Sequence, residues 1–325
     1  MKARWREPNR PMEIINGSSK VKAFKLTNPV ITVGNFDGVH LGHQKILKKT
    51  IQRAHALGGC SLVYTFHPHP LQVLRPEDAP PAITTFEEKV AIIGSIGIDY
   101  LVCEHFTRQY AEQPPEEFIK NIICDRIHPR EIIIGHDYAF GKNRKGTVEL
   151  LRKMGEIFHF KVHVIDNITI KNIPVRSTTV RRLIVLGKVS LAEKLLGRSY
   201  CLSGKVIHGK QRRIGFPTAN LSPGKSLIPK NGVYAIRAAT PYGVFNGVVN
   251  IGFNPTFAAE KLTIEAHLFD FSADLYGKEL SLHFIKRIRG EKKFPDVDAL
   301  VKQIEKDIAL AKRILAAHRQ RQEDV

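Results

Sequence analysis

The spacing of apolar positions changes character near residue 200. Before that point, short β-rich runs alternate with stretches of helical period. Residues 29–34 form an apolar run, and residues 38–57 follow with Ile46, Leu47, Thr50, Ile51 and Ala54 at helical intervals. Gly58 and Gly59 supply the stop. Residues 61–66, 100–103, 131–135 and 160–165 are further strand candidates, with helices expected over 86–96 and 115–123. Such alternation predicts a parallel sheet flanked by helices, with ligands beyond the carboxyl ends of its strands.

After residue 200 the runs are closer together. Residues 202–208, 232–239, 244–251, 262–271 and 279–288 are strand-like and joined by turns such as Pro241-Tyr242-Gly243. This predicts an antiparallel barrel or sandwich. One long helix is expected over 297–317, with Leu300, Ile304, Ile308 and Ile314 as its apolar stripe. Residues 181–198 read as short helices linking the halves, and 319–325 as a frayed tail. The expected domains are 1–185 and 186–325.

Composition narrows the class. A chain of 325 residues with 43% apolar and 25% charged residues is ordinary globular material for two domains. The balance of 50 Lys and Arg against 31 Asp and Glu leaves +19, which points to anionic partners: nucleic acid, a membrane surface or phosphorylated small molecules. No apolar run is long enough to span a bilayer, and none follows the basic N-terminal residues as a secretory signal would require. The four cysteines, Cys60, Cys103, Cys124 and Cys201, form no CxxC pair. That argues against a zinc ribbon or redox dithiol and for free thiols in a reducing cytoplasm.

The densest chemistry lies in residues 33–43, Val-Gly-Asn-Phe-Asp-Gly-Val-His-Leu-Gly-His, where a strand ends and a helix begins. Helix N-termini bind phosphate through their N–H groups, and Gly34, Gly38 and Gly42 allow close backbone approach. His40 and His43 share one helix face and suit phosphoryl oxygens. The bland alternative, a glycine turn with two surface histidines, explains the combination less well. A metal pair there is weaker still, because no third ligand lies near. Ser177, Thr178 and Arg181 suit triphosphate oxygens or simply start a helix. His67 and His69 flank Pro68 in a loop. Thr218 and Asn220 are hard oxygen donors suited to Mg²⁺, or part of a turn built on Pro217. Glu265, beside Ile264, is on spacing alone a solvent-facing strand residue.

These runs resemble the prokaryotic bifunctional riboflavin kinase/FMN adenylyltransferase (FAD synthetase) family, in order and over most of the chain. The resemblance rests on 33–43 and on Thr-Phe-His-Pro-His-Pro at 65–70. It continues in Gly-His-Asp-Tyr-Ala-Phe-Gly at 135–141 and Ser-Thr-Thr-Val-Arg at 177–181. In the second half it rests on Gly-Phe-Pro-Thr-Ala-Asn at 215–220 and on 250–256, 264–271, 274–277 and 289–294. It implies an α/β nucleotidyltransferase domain with a Rossmann-like sheet. An antiparallel β-barrel riboflavin kinase domain with a C-terminal helix would follow.

The resemblance also implies roles. His40, His43 and Arg181 would stabilise charge during adenylyl transfer, and Glu265 would be the general base for the ribityl hydroxyl. Gly34, Asn35, Phe36, Asp37, Gly38, His67, His69, Gly135, Asp137, Phe140, Gly141, Ser177 and Thr178 would line the first site. Gly209, Gly215, Pro217 and Asn250 would line the second, with Thr218 and Asn220 on Mg²⁺. ATP, riboflavin and FMN would be substrates, and FMN and FAD intermediate and product.

Three departures stand out: Arg176 replaces a second serine, Asn254 replaces a basic residue, and the 208–215 loop is shorter and lacks one glycine. The short loop, which keeps Arg212 and Arg213, motivates an adenylyltransferase-only paralogue as alternative. The charge motivates an RNA-binding flavin regulator, against which stands the lack of an aromatic platform or basic stripe.

Overall fold

All four residues of Val30–Val33 (β2) are buried, as a strand covered on both faces requires. The computed structural model describes residues 11–208, 215–225, 227–255 and 260–323. Its contacts divide the chain into two units. One holds the residues up to Pro80 and Thr84–Val175, and the other holds Pro81–Ile83 and Arg176–Val325.

The first unit is built on a parallel sheet of Glu13–Asn16 (β1), β2, Ser61–His67 (β3), Tyr100–His105 (β4), Glu131–Gly135 (β5) and Lys161–Ile165 (β6). The spatial order is β1-β4-β3-β2-β5-β6. The chain runs outward from β2 through β3 to β4, then returns to the other side of β2 for β5 and β6. A switch point therefore lies between β2 and β5, where parallel sheets open a crevice at the carboxyl ends. Period-2 alternation splits the core. Leu62 and Tyr64 pack with Phe118, Ile119 and Ile122 on one face, whereas Val63 packs with Leu47, Ile93 and Leu101 on the other.

The helices of this unit follow local rules. Leu41–Ala56 (α1) buries Leu47, Thr50 and Ala54. Pro70–Leu74 (α2) is a single short turn. Phe86–Ile96 (α3) begins with a reciprocal cap between Thr85 and Glu88 and ends at left-handed Gly97. Arg108–Ala111 (α4) and Pro115–Glu117 (α5) lead into π-helical turns over Phe118–Ile127. Val148–Phe158 (α6) was not anticipated, and neither was β1. A small ribbon, Thr169–Ile170 (β7) with Ile173–Pro174 (β8), closes the unit.

The second unit begins with Ser177–Val185 (α7) and Val189–Leu196 (α8), the short helices expected there. Six antiparallel strands follow: Tyr200–Ile207 (β9), Ala219–Pro223 (β10), Gly232–Thr240 (β11), Gly243–Pro255 (β12), Glu260–Leu268 (β13) and Glu279–Arg289 (β14). They close into a barrel in the order β10-β13-β12-β11-β14-β9, which resolves the choice between barrel and sandwich. The unanticipated β10 bridges β9 and β13 and so removes the open edges. Tyr234 and Ile236 of β11 are fully buried. The alternate residues Val233 and Ala235 pack with Ala311 and Leu315 of Val297–Glu323 (α9). Arg289 pins this helix through Asp307 at 2.8 Å, and Gln303 donates to the other carboxylate oxygen at 2.9 Å. Among the described residues, no helix is long and apolar enough to cross a membrane.

Candidate functional site

The turn from β2 into α1 leaves the sheet at the switch point. Phe36, Gly38 and Val39 all have positive φ, +50°, +79° and +38°, a conformation costly for the two non-glycine residues. Asp37 and Thr84 hold it. Asp37 Oδ1 accepts from the Thr84 backbone N–H at 3.2 Å and hydroxyl at 3.3 Å, while the Thr84 hydroxyl oxygen accepts from Gly38 N–H at 3.1 Å. Lys89, on α3, is only 8% exposed. Its ammonium donates to Asn35 O and Thr65 Oγ1, each at 3.2 Å, and more weakly to Phe66 O at 3.4 Å. Burial lowers its pKa. Sequence reasoning did not single out Lys89. The available signal was a lysine four residues before Ile93, on the buried face of an amphipathic helix.

His40 is the N-cap of α1, and its Nδ1 accepts from His43 N–H at 3.2 Å. An accepting Nδ1 leaves the proton of neutral His40 on Nε2. The two imidazoles stack with centroids 3.6 Å apart and planes 16° from parallel, and Phe36 meets the His43 ring edge-on at 5.2 Å. Burial holds His43 well below the usual imidazole range, and charge on His40 and Lys89 adds to the effect. Among the described residues, His43 Nδ1 is buried without a hydrogen-bond partner. His43 is thus held neutral beside His40 at a helix N-terminus, a setting suited to anionic oxygens.

The other expected residues of this unit lie on neighbouring loops. Gly34 has little spare room, since a Cβ there would meet the Phe36 ring at 3.2 Å. His67, exposed at the end of β3, lies 4.6 Å from the Phe86 ring. His69 caps α2, accepting from Leu71 N–H at 3.2 Å. Gly135 ends β5 at the switch point, and Asp137 is exposed just beyond it. Phe36 and Phe140 are core rings, 3% and 8% exposed, so they shape their loops from beneath. Gly141 has φ +69°, and a Cβ there would lie 2.7 Å from Pro115 Cα.

An aromatic group not foreseen from sequence adjoins β3 and β4. The Phe66 ring lies 5.5 Å from Phe106 and 6.0 Å from Tyr110, and Tyr138 stacks on Phe140 at 5.3 Å. Tyr64 donates to Glu104 at 2.5 Å and sits 3.0 Å from the Tyr110 hydroxyl. Burial raises the pKa of both phenols. Tyr110, Glu104, Thr107, Gln113 and Arg126 line a cavity of about 470 Å³.

In the second unit, Ser177 and Thr178 form the first turn of α7, and Arg181 Nε donates to Pro81 O at 2.9 Å. On the barrel, β-register places Asn220, Glu265 and Asn250 in one row across β10, β13 and β12. Glu265 lies between Ile264 and Ala266, which are 2% and 1% exposed, so its side chain turns to the opposite, outer face. Two residues on, His267 Nδ1 lies 2.9 Å from Pro217 O, and the Phe216 ring meets the imidazole at 5.6 Å. These contacts tie the loop carrying Gly215, Pro217 and exposed Thr218 to β13. His267 was not singled out from sequence. Gly209, Arg212 and Arg213 lie outside the described residues, as does Thr256.

Comparison with known proteins adds an independent line. The FAD synthetase family matches residues 23–179, and the riboflavin kinase family matches residues 196–315. A bifunctional riboflavin kinase/FMN adenylyltransferase from Buchnera aphidicola subsp. Schizaphis graminum is 37% identical over 308 residues, covering 93% of this chain and 98% of the relative. One from Escherichia coli is 33% identical over 299 residues, covering 91% and 96%. A crystal structure of a macrolide-efflux protein from Streptococcus pneumoniae is 29% identical with a TM-score of 0.84, covering 93% of this chain and 99% of that one.

Proposed function

This chain belongs to the bifunctional riboflavin kinase/FMN adenylyltransferase family, and we propose that it converts riboflavin to FMN and FMN to FAD, using ATP in each step. The observation that carries the adenylyl step is the stacked His40–His43 pair at the N-terminus of α1, at the sheet's switch point. A phosphate oxygen of FMN attacks the α-phosphorus of ATP. The new P–O–P linkage forms as the bond to the β-phosphate oxygen breaks, and pyrophosphate leaves. His40 Nε2–H, His43 and the first N–H groups of α1 stabilise the charge developing on the equatorial oxygens. Ser177, Thr178 and Arg181 supply further donors to the triphosphate, by likeness to the family motif and by the chemistry of hydroxyl and guanidinium groups. Phe66, Tyr110 and Tyr138 offer flat apolar surface suited to a flavin ring.

For the kinase step, Glu265 takes the proton of the ribityl hydroxyl as that oxygen attacks the γ-phosphorus and ADP leaves. Its row with Asn220 and Asn250 supports this role. Thr218 and Asn220 are hard oxygen donors whose chemistry fits Mg²⁺, which would neutralise phosphate charge when bound. Gly215 and Pro217 shape the loop that carries them. We place the functional boundary between residues 185 and 186, within the gap between the two family matches. Cys60, Cys103, Cys124 and Cys201 are all free thiols, consistent with a reducing cytoplasm.

The shortened 208–215 loop favours one second reading, a chain that only adenylylates FMN. Chromatography of flavins after incubation with ATP and Mg²⁺ separates the two. FMN and FAD formed from riboflavin support both activities. FAD formed from FMN, with riboflavin unchanged, supports the second reading. No conversion of either flavin overturns both.

A further inference from the structure

The end of the parallel sheet opposite the His40 turn carries a second recess. Asn28 and Pro29 enter β2 there, Pro129 and Arg130 enter β5, and Phe160 enters β6. The recess has a volume of about 800 Å³, within the range that holds nucleotide-sized ligands. Its lining includes Lys22, Lys25, Arg126, Arg130, His128 and His159, and no Asp or Glu. Its apolar floor is Phe24, Phe158 and Phe160, which pack against the sheet core.

Two features separate this recess from an ordinary basic surface. One guanidinium is oriented within the recess, Arg130, whose Nε donates to Asn28 Oδ1 at 3.3 Å, whereas Arg126 Nη1 donates to Ser18 Oγ at 2.7 Å on the side of the smaller cavity that both residues line. Three residues of the lining, Asn28, His128 and His159, hold positive φ of +38°, +53° and +61° without being glycine. His128 and His159 end Phe118–Ile127 and α6, so their placement also complements helix dipoles. That role does not absorb the charge. Two helix C-termini contribute about −0.5 each, against the full cationic charges of Lys22, Lys25 and Arg130.

We infer that this recess is a second anion site, distinct from the reaction centre, that takes a nucleoside diphosphate. The phosphates meet Lys25, Arg130 and the imidazoles, and the base lies on the phenylalanine floor. An oriented guanidinium loses little freedom on binding, which favours a specific complex over diffuse attraction. Nothing in the chemistry proposed for His40 or Glu265 uses these residues.

The test is a titration of the full chain with ADP, read by histidine side-chain NMR and assigned with His128→Gln and His159→Gln. ADP also meets the catalytic sites, so the local resonances, not total binding, decide. The expected result is a saturable shift of the His128 and His159 signals. Lys25→Glu with Arg130→Glu should weaken it about tenfold or more, the loss of a charge-assisted bond, while FAD formation from FMN continues. If the double variant does not fold, exposed Lys25→Glu alone serves. Inorganic pyrophosphate is the second probe, and affinity equal to that of ADP would overturn the nucleotide assignment. Unmoved His128 and His159 signals while those of His40 and His43 shift would overturn the site.

Discussion

His40 and His43 lie face to face with ring centroids 3.6 Å apart, and the Nδ1 of the first accepts the backbone N–H of the second. Two imidazolium rings at that separation would repel, and burial already disfavours charge on His43. His43 therefore stays neutral beside His40, and its electrostatics make a pH prediction. In the unfolded chain His43 takes a proton near its ordinary value of 6.5, whereas in the folded chain it does so only at lower pH. Its contribution to stability is complete above pH 6.5 and is lost as pH falls toward the folded value. The melting temperature should drop between pH 7 and 5, and His43→Phe should flatten that slope. An identical slope in the variant would show that other groups cause it.

Lys89 positions the turn from beneath, through Asn35 O and Thr65 Oγ1. Replacing it with Met leaves those buried acceptors without their donor, at a cost of about 1–3 kcal/mol each. The expected outcome is a loss of FMN adenylylation of about tenfold to a hundredfold, with riboflavin phosphorylation kept. The His43 titration, followed by NMR, should move upward because a nearby positive charge is gone. An unchanged titration midpoint would argue against the electrostatic link.

Glu265→Gln keeps the row with Asn220 and Asn250 but removes the proton acceptor we propose for the kinase step. Riboflavin phosphorylation should fall by about 10²–10⁴, while FAD formation from supplied FMN is retained. A variant that phosphorylates riboflavin at the normal rate would return Glu265 to an ordinary solvent-facing strand residue.

Gly141→Ala combines a positive φ with a Cβ placed 2.7 Å from Pro115 Cα. Neither the backbone of Pro115 nor that of residue 141 can yield cheaply. Destabilisation of at least about 1–3 kcal/mol is expected, read as a lower midpoint in urea unfolding. A midpoint within error of the parent would mean that the loop relaxes freely.

Much of this architecture was legible along the chain. Helical spacing located α1, the helix expected over 86–96 matches α3, and clustered apolar runs marked the strands. These are local effects, set by side-chain period, capping and turn chemistry within a few residues. The glycine–histidine run likewise reads as a strand-to-helix junction, which β2 and α1 form.

What only tertiary structure decided is non-local. β1 and β10 exist as strands because β4, β9 and β13 supply the partners for their backbone groups. The choice between barrel and sandwich rested on β10 joining β9 to β13. Lys89 reads as one more helix lysine until β2 and β3 bring Asn35 and Thr65 to its ammonium. Asn220, Asn250 and Glu265 are far apart in sequence, and only strand register sets them in a row. Period and capping are written in neighbouring residues, whereas pairing and register depend on which distant segments meet when the chain closes.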